Sequence, residues 1–188
     1  MSKNIIKLSQ TRTNTFLNCE RIDYYDNVLR IEPLQPNMAF EYGKIVHNGV
    51  GFLLSKKHLI DETIKKSIGI FHKRVQDLRI AGCVKDEDEQ EFAYNELTFP
   101  ALLKEYASKY KVFVANTKQV CSELRLEHML TDDIMFVGHV DNIIQNKNRL
   151  FLHELKTTRE LTMNYIRGIK VSLQVAAYFY FFNEIYDT

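Results

Sequence analysis

Apolar residues recur every three or four positions through the first half of the chain and every second position beyond it. Val46, Val50, Leu53 and Leu54 mark one face of a helix from about Ala39 to Lys57. Ile64, Ile68, Phe71, Val75 and Leu78 mark another, which begins near Asp61. Upstream, Ser9 or Thr11 is placed to cap a helix through Phe16, Leu17 and Ile22. Pro33 and Pro36 then put residues 31–37 in a loop, because proline lacks the amide proton that a helix interior needs. The acidic stretch Asp86 to Glu91 opens a fourth helix, and Pro100 is expected to break that helix or restart it.

Near Lys118 the period changes. Leu124, Leu126, His128 and Leu130 alternate with Glu123, Arg125, Glu127 and Met129, which predicts a strand over Glu123 to Leu130. Thr131-Asp132-Asp133 is a turn, and Ile134 to Gln145 is a second strand rich in β-branched residues. Asn146-Lys147-Asn148 turns the chain into a third strand, Arg149 to Thr157. A long apolar and aromatic helix from about Gly168 to Tyr186 comes last. The elements predict an α/β (α+β) layer protein in one domain, 1–188, mainly helical to about residue 117, then an antiparallel β-meander and a helix.

Composition narrows the classes. At 188 residues and 45% hydrophobic, the chain can bury a proper core without disulfides or a structural metal. Its formal charge of +1 provides no global basic field, so nucleic-acid binding would need a local patch. That disfavours a pure binding module more than an enzyme. Cys19, Cys83 and Cys121 are widely spaced and form no CxxC pair, so neither a zinc site nor a disulfide framework is encoded. Met1 to Gln10 contains no signal-peptide core, and charges interrupt every candidate membrane span. A cytoplasmic protein with reduced thiols is the expectation.

The candidate chemistry lies in the last hairpin. With a two-residue loop at Lys147-Asn148, Asn146 faces Arg149 and Asp141 lands opposite Glu154. Paired residues share a face with Cβ atoms ~5 Å apart. Lys156, two residues beyond Glu154, shares that face at ~6.5 Å. A three-residue loop would move the acids to a diagonal, still within reach. Two carboxylates this close repel unless a proton or a cation separates them, and a hard divalent ion suits oxygen ligands. Lys156 is placed to hold an attacking water and to offset charge on a phosphorane-like transition state. An Asp with a Glu-x-Lys a dozen residues later is common by itself. Here, however, Glu154 sits within the apolar run Leu150 to Leu155, where a solvated edge is not expected.

Four segments occur in a telling order: Gly43-Lys44-Ile45-Val46-His47, Gly138-His139-Val140-Asp141, Glu154-Leu155-Lys156-Thr157 and Gln174-Val175-Ala176-Ala177-Tyr178. As GxxxH, GxxD, ExKT and QxxxY, they make the chain resemble a RecB-type nuclease of the PD-(D/E)XK superfamily from about Leu8 to Phe182. It is similar to CRISPR-associated RecB-type and phage exonucleases. The resemblance implies a restriction-endonuclease-like core and a Mg2+- or Mn2+-dependent deoxyribonuclease. Asp141, Glu154 and the main-chain carbonyl of Leu155 would hold the metal, with His47 as a further ligand, and Lys156 would be the catalytic lysine. Gln174 and Tyr178, one turn apart, would position DNA or the hydrated metal. Lys170 and Arg159 are candidates for touching phosphate, although a solvated charge is the more ordinary role for each. The segment from Ser9 through Arg12 to Arg21 is similar to the family's opening, and Glu123 and Glu127 are expected to border the site.

Two departures matter. Relatives with an iron–sulfur cluster carry one cysteine near the start and three after the QxxxY helix; only Cys19 matches, so no cluster is expected. The superfamily core normally adds a strand after that helix, and none fits before Thr188. Either the chain is truncated, or a second copy or partner protein completes the sheet. No P-loop is present, so DNA ends or single strands would have to be presented to the enzyme. An exonuclease acting in recombination, repair or phage- or CRISPR-related processing leads the readings. An endonuclease of the same fold, or a silent DNA-binding subunit, is the alternative.

Overall fold

The computed structural model describes residues 5–31, 37–55, 59–158, 162–170 and 172–186, and the side chains of all of these except 170, 173, 185 and 186. In chain order, strand β1 (Ile6–Leu8) precedes helices α1 (Gln10–Asn18) and α2 (Glu20–Asp23), and α2 runs into a π-helical turn at Tyr24–Val28. Helices α3 (Met38–Ser55), α4 (Ile60–Ile80), α5 (Asp86–Lys109) and α6 (Lys111–Asn116) come after it. Strands β2 (Thr117–Met129), β3 (Ile134–Asn146) and β4 (Arg149–His153) are next, then helices α7 (Met163–Lys170) and α8 (Leu173–Tyr186). The mixed α+β architecture matches the class the sequence predicts. The expected loop at 31–37 lies largely outside the described residues.

The chain divides into two compact units. One comprises Pro33–Ser122 and Asp141–Thr157. Its core is the meeting of α3, α4 and α5: Val50, Leu53, Leu54, Phe71, Val75, Phe99 and Leu103 are buried, joined by Ile144 of β3. On α3 and α4 these are the 3.6-period stripes read from the sequence, hiding their apolar faces against each other and α5. At Gly49 the missing side chain lets α3 approach closely, since a Cβ there would lie 2.7 Å from Phe99 Cζ. The start of α5 is fixed by Asp88, whose carboxylate accepts the Lys85 N–H at 2.9 Å.

The second unit comprises Met1–Glu32, Glu123–Val140 and Thr158–Thr188. Ser9 caps α1, its hydroxyl accepting from Arg12 N at 3.1 Å. Phe136 packs on Phe181 with ring centroids 4.8 Å apart, and Leu126, Val140, Tyr178 and Phe182 are buried.

Five expectations need correction. Pro100 lies inside α5 and does not break it. An interior proline costs ~3 kcal/mol, and full burial of Phe99 and Leu103 on either side of it offsets that cost. The first helix is interrupted at Cys19, which takes an extended conformation before α2. The terminal helix is two helices: Gly168 lies in α7, and α8 restarts after Ser172, whose carbonyl accepts from Ala176 N. Serine suits a helix start. The sheet is mixed, not wholly antiparallel, because β1 pairs parallel with β3 over Ile6↔Ile134 to Leu8↔Phe136. Three residues are too few for alternation to show. Finally, β4 stops at His153 rather than Thr157, because the Leu155 amide turns to a side chain instead of a ladder carbonyl.

Candidate active site

The β3–β4 hairpin has the register derived from the sequence, from Asn146↔Arg149 to Asn142↔His153. Its two-residue turn places Lys147 at φ 53°, the left-handed region that tight hairpin turns demand. One step beyond the last pair brings Asp141 to Glu154, and Glu154 Oε2 lies 3.5 Å from the Asp141 amide nitrogen. Leu155 N–H donates to Asp141 Oδ2 at 2.7 Å. Lys156 Nζ donates to Glu154 Oε1 at 2.7 Å. From α3, His47 Nδ1 comes within 3.2 Å of Asp141 Oδ1. One turn earlier on α3, a Cβ on Gly43 would sit 3.2 Å from Thr157 Oγ1. Glycine there lets the helix run close to the segment that carries Glu154. Thus His47, Asp141, Glu154, Leu155 and Lys156 gather within one unit.

Burial acts on both acids, with different outcomes. For Asp141 it pushes the carboxyl up, but hydrogen bonds from His47 and Leu155 N–H outweigh it, and the net shift is downward. For Glu154 burial pushes up and the Asp141 charge adds to it, while Lys156 only partly compensates, so the carboxyl stays raised. The environment separates two neighbouring acids, an arrangement typical of sites that handle charge. The side chains remain reachable, with Glu154 17% and Lys156 36% exposed.

Several neighbours carried no motif signal. Asn142, buried beside Asp141 in sequence, accepts from Gln119 Nε2 at 2.6 Å. His153 has its Nε2 3.4 Å from the Tyr106 hydroxyl, and burial holds its imidazole below the usual value. Burial likewise pushes Tyr106 up to about 12, so it remains a neutral phenol. Polar residues inside an otherwise apolar strand were the available clue.

Gln174 and Tyr178 belong to the other unit. The Tyr178 hydroxyl donates to the His139 carbonyl at 2.8 Å and accepts from His139 N–H at 3.2 Å and Gln174 Nε2 at 2.9 Å. Arg12 bonds buried Asp23 at 3.2 Å and the Lys7 carbonyl at 2.8 Å, while the Arg21 guanidinium lies 5.7 Å from the centre of the Tyr25 ring. Glu127 pairs with Arg125, and Glu123 adopts φ 53° within β2. Arg159 and the Lys170 side chain lie outside what the structure describes.

Compared with known families, residues 7–187 match the model of the PD-(D/E)XK nuclease superfamily. The chain belongs to that superfamily. No curated protein matches the chain. As a PD-(D/E)XK protein it is a member of a nuclease family whose enzymes generally use divalent metals. The donor chemistry here fits such an ion. Among the described residues no three His, Cys, Asp or Glu side chains gather at metal-holding geometry. Magnesium, however, takes one or two carboxylates and completes its shell with water and substrate phosphate, and Asp141 and Glu154 are two carboxylates that converge. Among the described residues no helix is long and apolar enough to cross a membrane.

Proposed function

We propose that this PD-(D/E)XK protein is a magnesium-dependent DNA nuclease of the RecB type, hydrolysing phosphodiester bonds exonucleolytically from the ends of linear DNA. The observation that carries the reading is one cluster: Asp141 beside Glu154, with Lys156 on one acid and His47 on the other. Asp141, Glu154, the Leu155 carbonyl and His47 would hold the ion. When bound, it supplies Lewis-acid stabilisation of the phosphoryl oxygens and makes a water more acidic. Lys156 holds the attacking water and offsets the negative charge that builds up during in-line displacement. Leu155 N–H and His47 fix the orientation of Asp141, so the acid need not reorganise as charge develops. The order GxxxH, GxxD, ExKT and QxxxY favours the RecB type and, with it, an exonuclease of recombination, repair or phage- or CRISPR-related processing. Three free thiols fit a reducing, cytoplasmic setting.

The test uses linear and closed-circular DNA, single- and double-stranded, with Mg2+, Mn2+ or EDTA. Degradation of linear DNA alone is expected, abolished by EDTA and reduced ~10²–10³-fold by Lys156→Ala, the range for loss of one preorganised charge-stabilising donor. Cutting of closed circles would replace the exonuclease with an endonuclease. Metal-independent DNA binding with no cleavage would leave a silent subunit.

A further inference from the structure

Strand β3 pairs with β1 over Ile134 to Phe136 and with β4 over Asn142 to Asn146. Between these stretches lies His139, and its main chain is served by a side chain. The N–H and C=O of one strand residue point to the same side. A hydroxyl can be donor and acceptor at once, and the Tyr178 hydroxyl meets both groups, donating to the carbonyl and accepting from the amide. Gln174 Nε2 supplies a second proton to the same oxygen. A phenol has one proton and two lone pairs, so these three bonds use its hydrogen-bonding capacity in full. Tyr178 is itself buried. Its ring reaches the strand because residue 138 is glycine: a Cβ there would sit 2.5 Å from Tyr178 Cε1 and 3.1 Å from Phe136 Cε1. Gly138 is not at positive φ, so the need for glycine is one of space alone.

We propose that Gln174, Tyr178 and Gly138 form a clasp in which the tyrosine hydroxyl stands in for a strand partner at His139, fixing β3 two residues before Asp141. Tyr178 and Gln174 are then positioning residues that act through the main chain, and neither needs to touch nucleic acid. The kinetic consequence rests on the nuclease reading; the structural one does not. A small displacement of a reacting group is costly to rate while binding surfaces elsewhere are untouched. The signature is therefore a loss in kcat at constant KM.

Tyr178→Phe keeps the ring and removes the hydroxyl. We measure His139 amide exchange by NMR, kcat and KM on linear DNA, and DNA affinity. The expected result is exchange at His139 faster by ~10-fold or more, with amides of α3 to α5 unchanged, kcat lower by ~10-fold or more and KM unchanged. Gly138→Ala, which drives a methyl into the ring, is expected to raise His139 exchange in the same way. Gln174→Ala, which leaves the tyrosine in place, gives a smaller rise and serves if Tyr178→Phe fails to fold. Unchanged His139 exchange in the folded variants overturns the clasp, as does a raised KM with kcat intact, which would mark direct contact with DNA. If the unaltered protein cleaves nothing, the nuclease reading fails, and the exchange rates still decide the clasp.

Discussion

Two glycines in neighbouring helices should respond to alanine with opposite signs. In a helix, glycine loses more backbone freedom on folding than alanine, so Gly→Ala by itself stabilises by ~0.5–1 kcal/mol. At Gly69, on α4, a Cβ would meet nothing within 4 Å, so that gain stands alone. At Gly49, on α3, the same carbon would lie 2.7 Å from Phe99 Cζ, 3.0 Å from Cε2 and 3.4 Å from Leu103 Cδ2. Carbon atoms attract best at ~3.5–4.0 Å, and Phe99 and Leu103 are 0% exposed, with no open side to retreat into. Overpacking a filled core costs ~1–3 kcal/mol, and a 2.7 Å approach to a fully buried ring belongs in the upper half of that range, so a net loss of ~1–2.5 kcal/mol remains after the helix gain. In a chain of 188 residues each kcal/mol moves Tm by ~2–4 °C. Gly69→Ala should therefore melt ~1–4 °C higher than the unaltered protein and Gly49→Ala ~2–10 °C lower. Urea titrations should show the same ordering of midpoints at an unchanged slope. A Gly49→Ala protein as stable as Gly69→Ala would refute the packing of α3 on α5 at Phe99.

Other outcomes concern polar and strained positions. Burial alone would raise the Glu41 carboxyl, but hydrogen bonds from Arg74 and Lys44 hold it below its ordinary value. A lowered acid stabilises at pH above the ordinary value, and that contribution is lost as pH falls through the folded one. The gap in unfolding free energy between the unaltered protein and Glu41→Gln should be full near neutrality and shrink on acidification; a gap constant down to about pH 2 would contradict it. Glu123 holds φ 53° inside β2, a conformation that costs a non-glycine residue ~1–2 kcal/mol. Glu123→Gly should therefore raise the melting temperature and Glu123→Val lower it, and the reverse order would exclude strain there.

Helices α3 and α4 were legible because their stripes are long, 18 and 21 residues, with apolar positions repeating several times, whereas α5 showed only its acidic start. The hairpin register was legible for another reason. A two-residue turn leaves one pairing, and that pairing set Asp141 against Glu154. His47 could be brought to Asp141 only through family resemblance, since 94 residues separate them and no local periodicity spans such a distance. What could not be read were choices made by tertiary contact. Pro100 stays helical because Phe99 and Leu103 anchor it; β1 is a strand because β3 offers it an edge. For the break before α8 the sequence offers a single serine, Ser172, between Val171 and Leu173. Gln174 and Tyr178 were visible as a pair, but their main-chain target on β3 was not.

One bond in the acidic cluster is made by a group that every residue except proline possesses. The Leu155 amide holds Asp141 regardless of which side chain position 155 carries, so the middle of the Glu-x-Lys triplet is free to vary among apolar shapes that suit the α-helical core. Only an imino acid would unseat the aspartate from there. Relatives can thus diverge at this position without loss of geometry, and a search keyed to side-chain identity passes over the contact altogether.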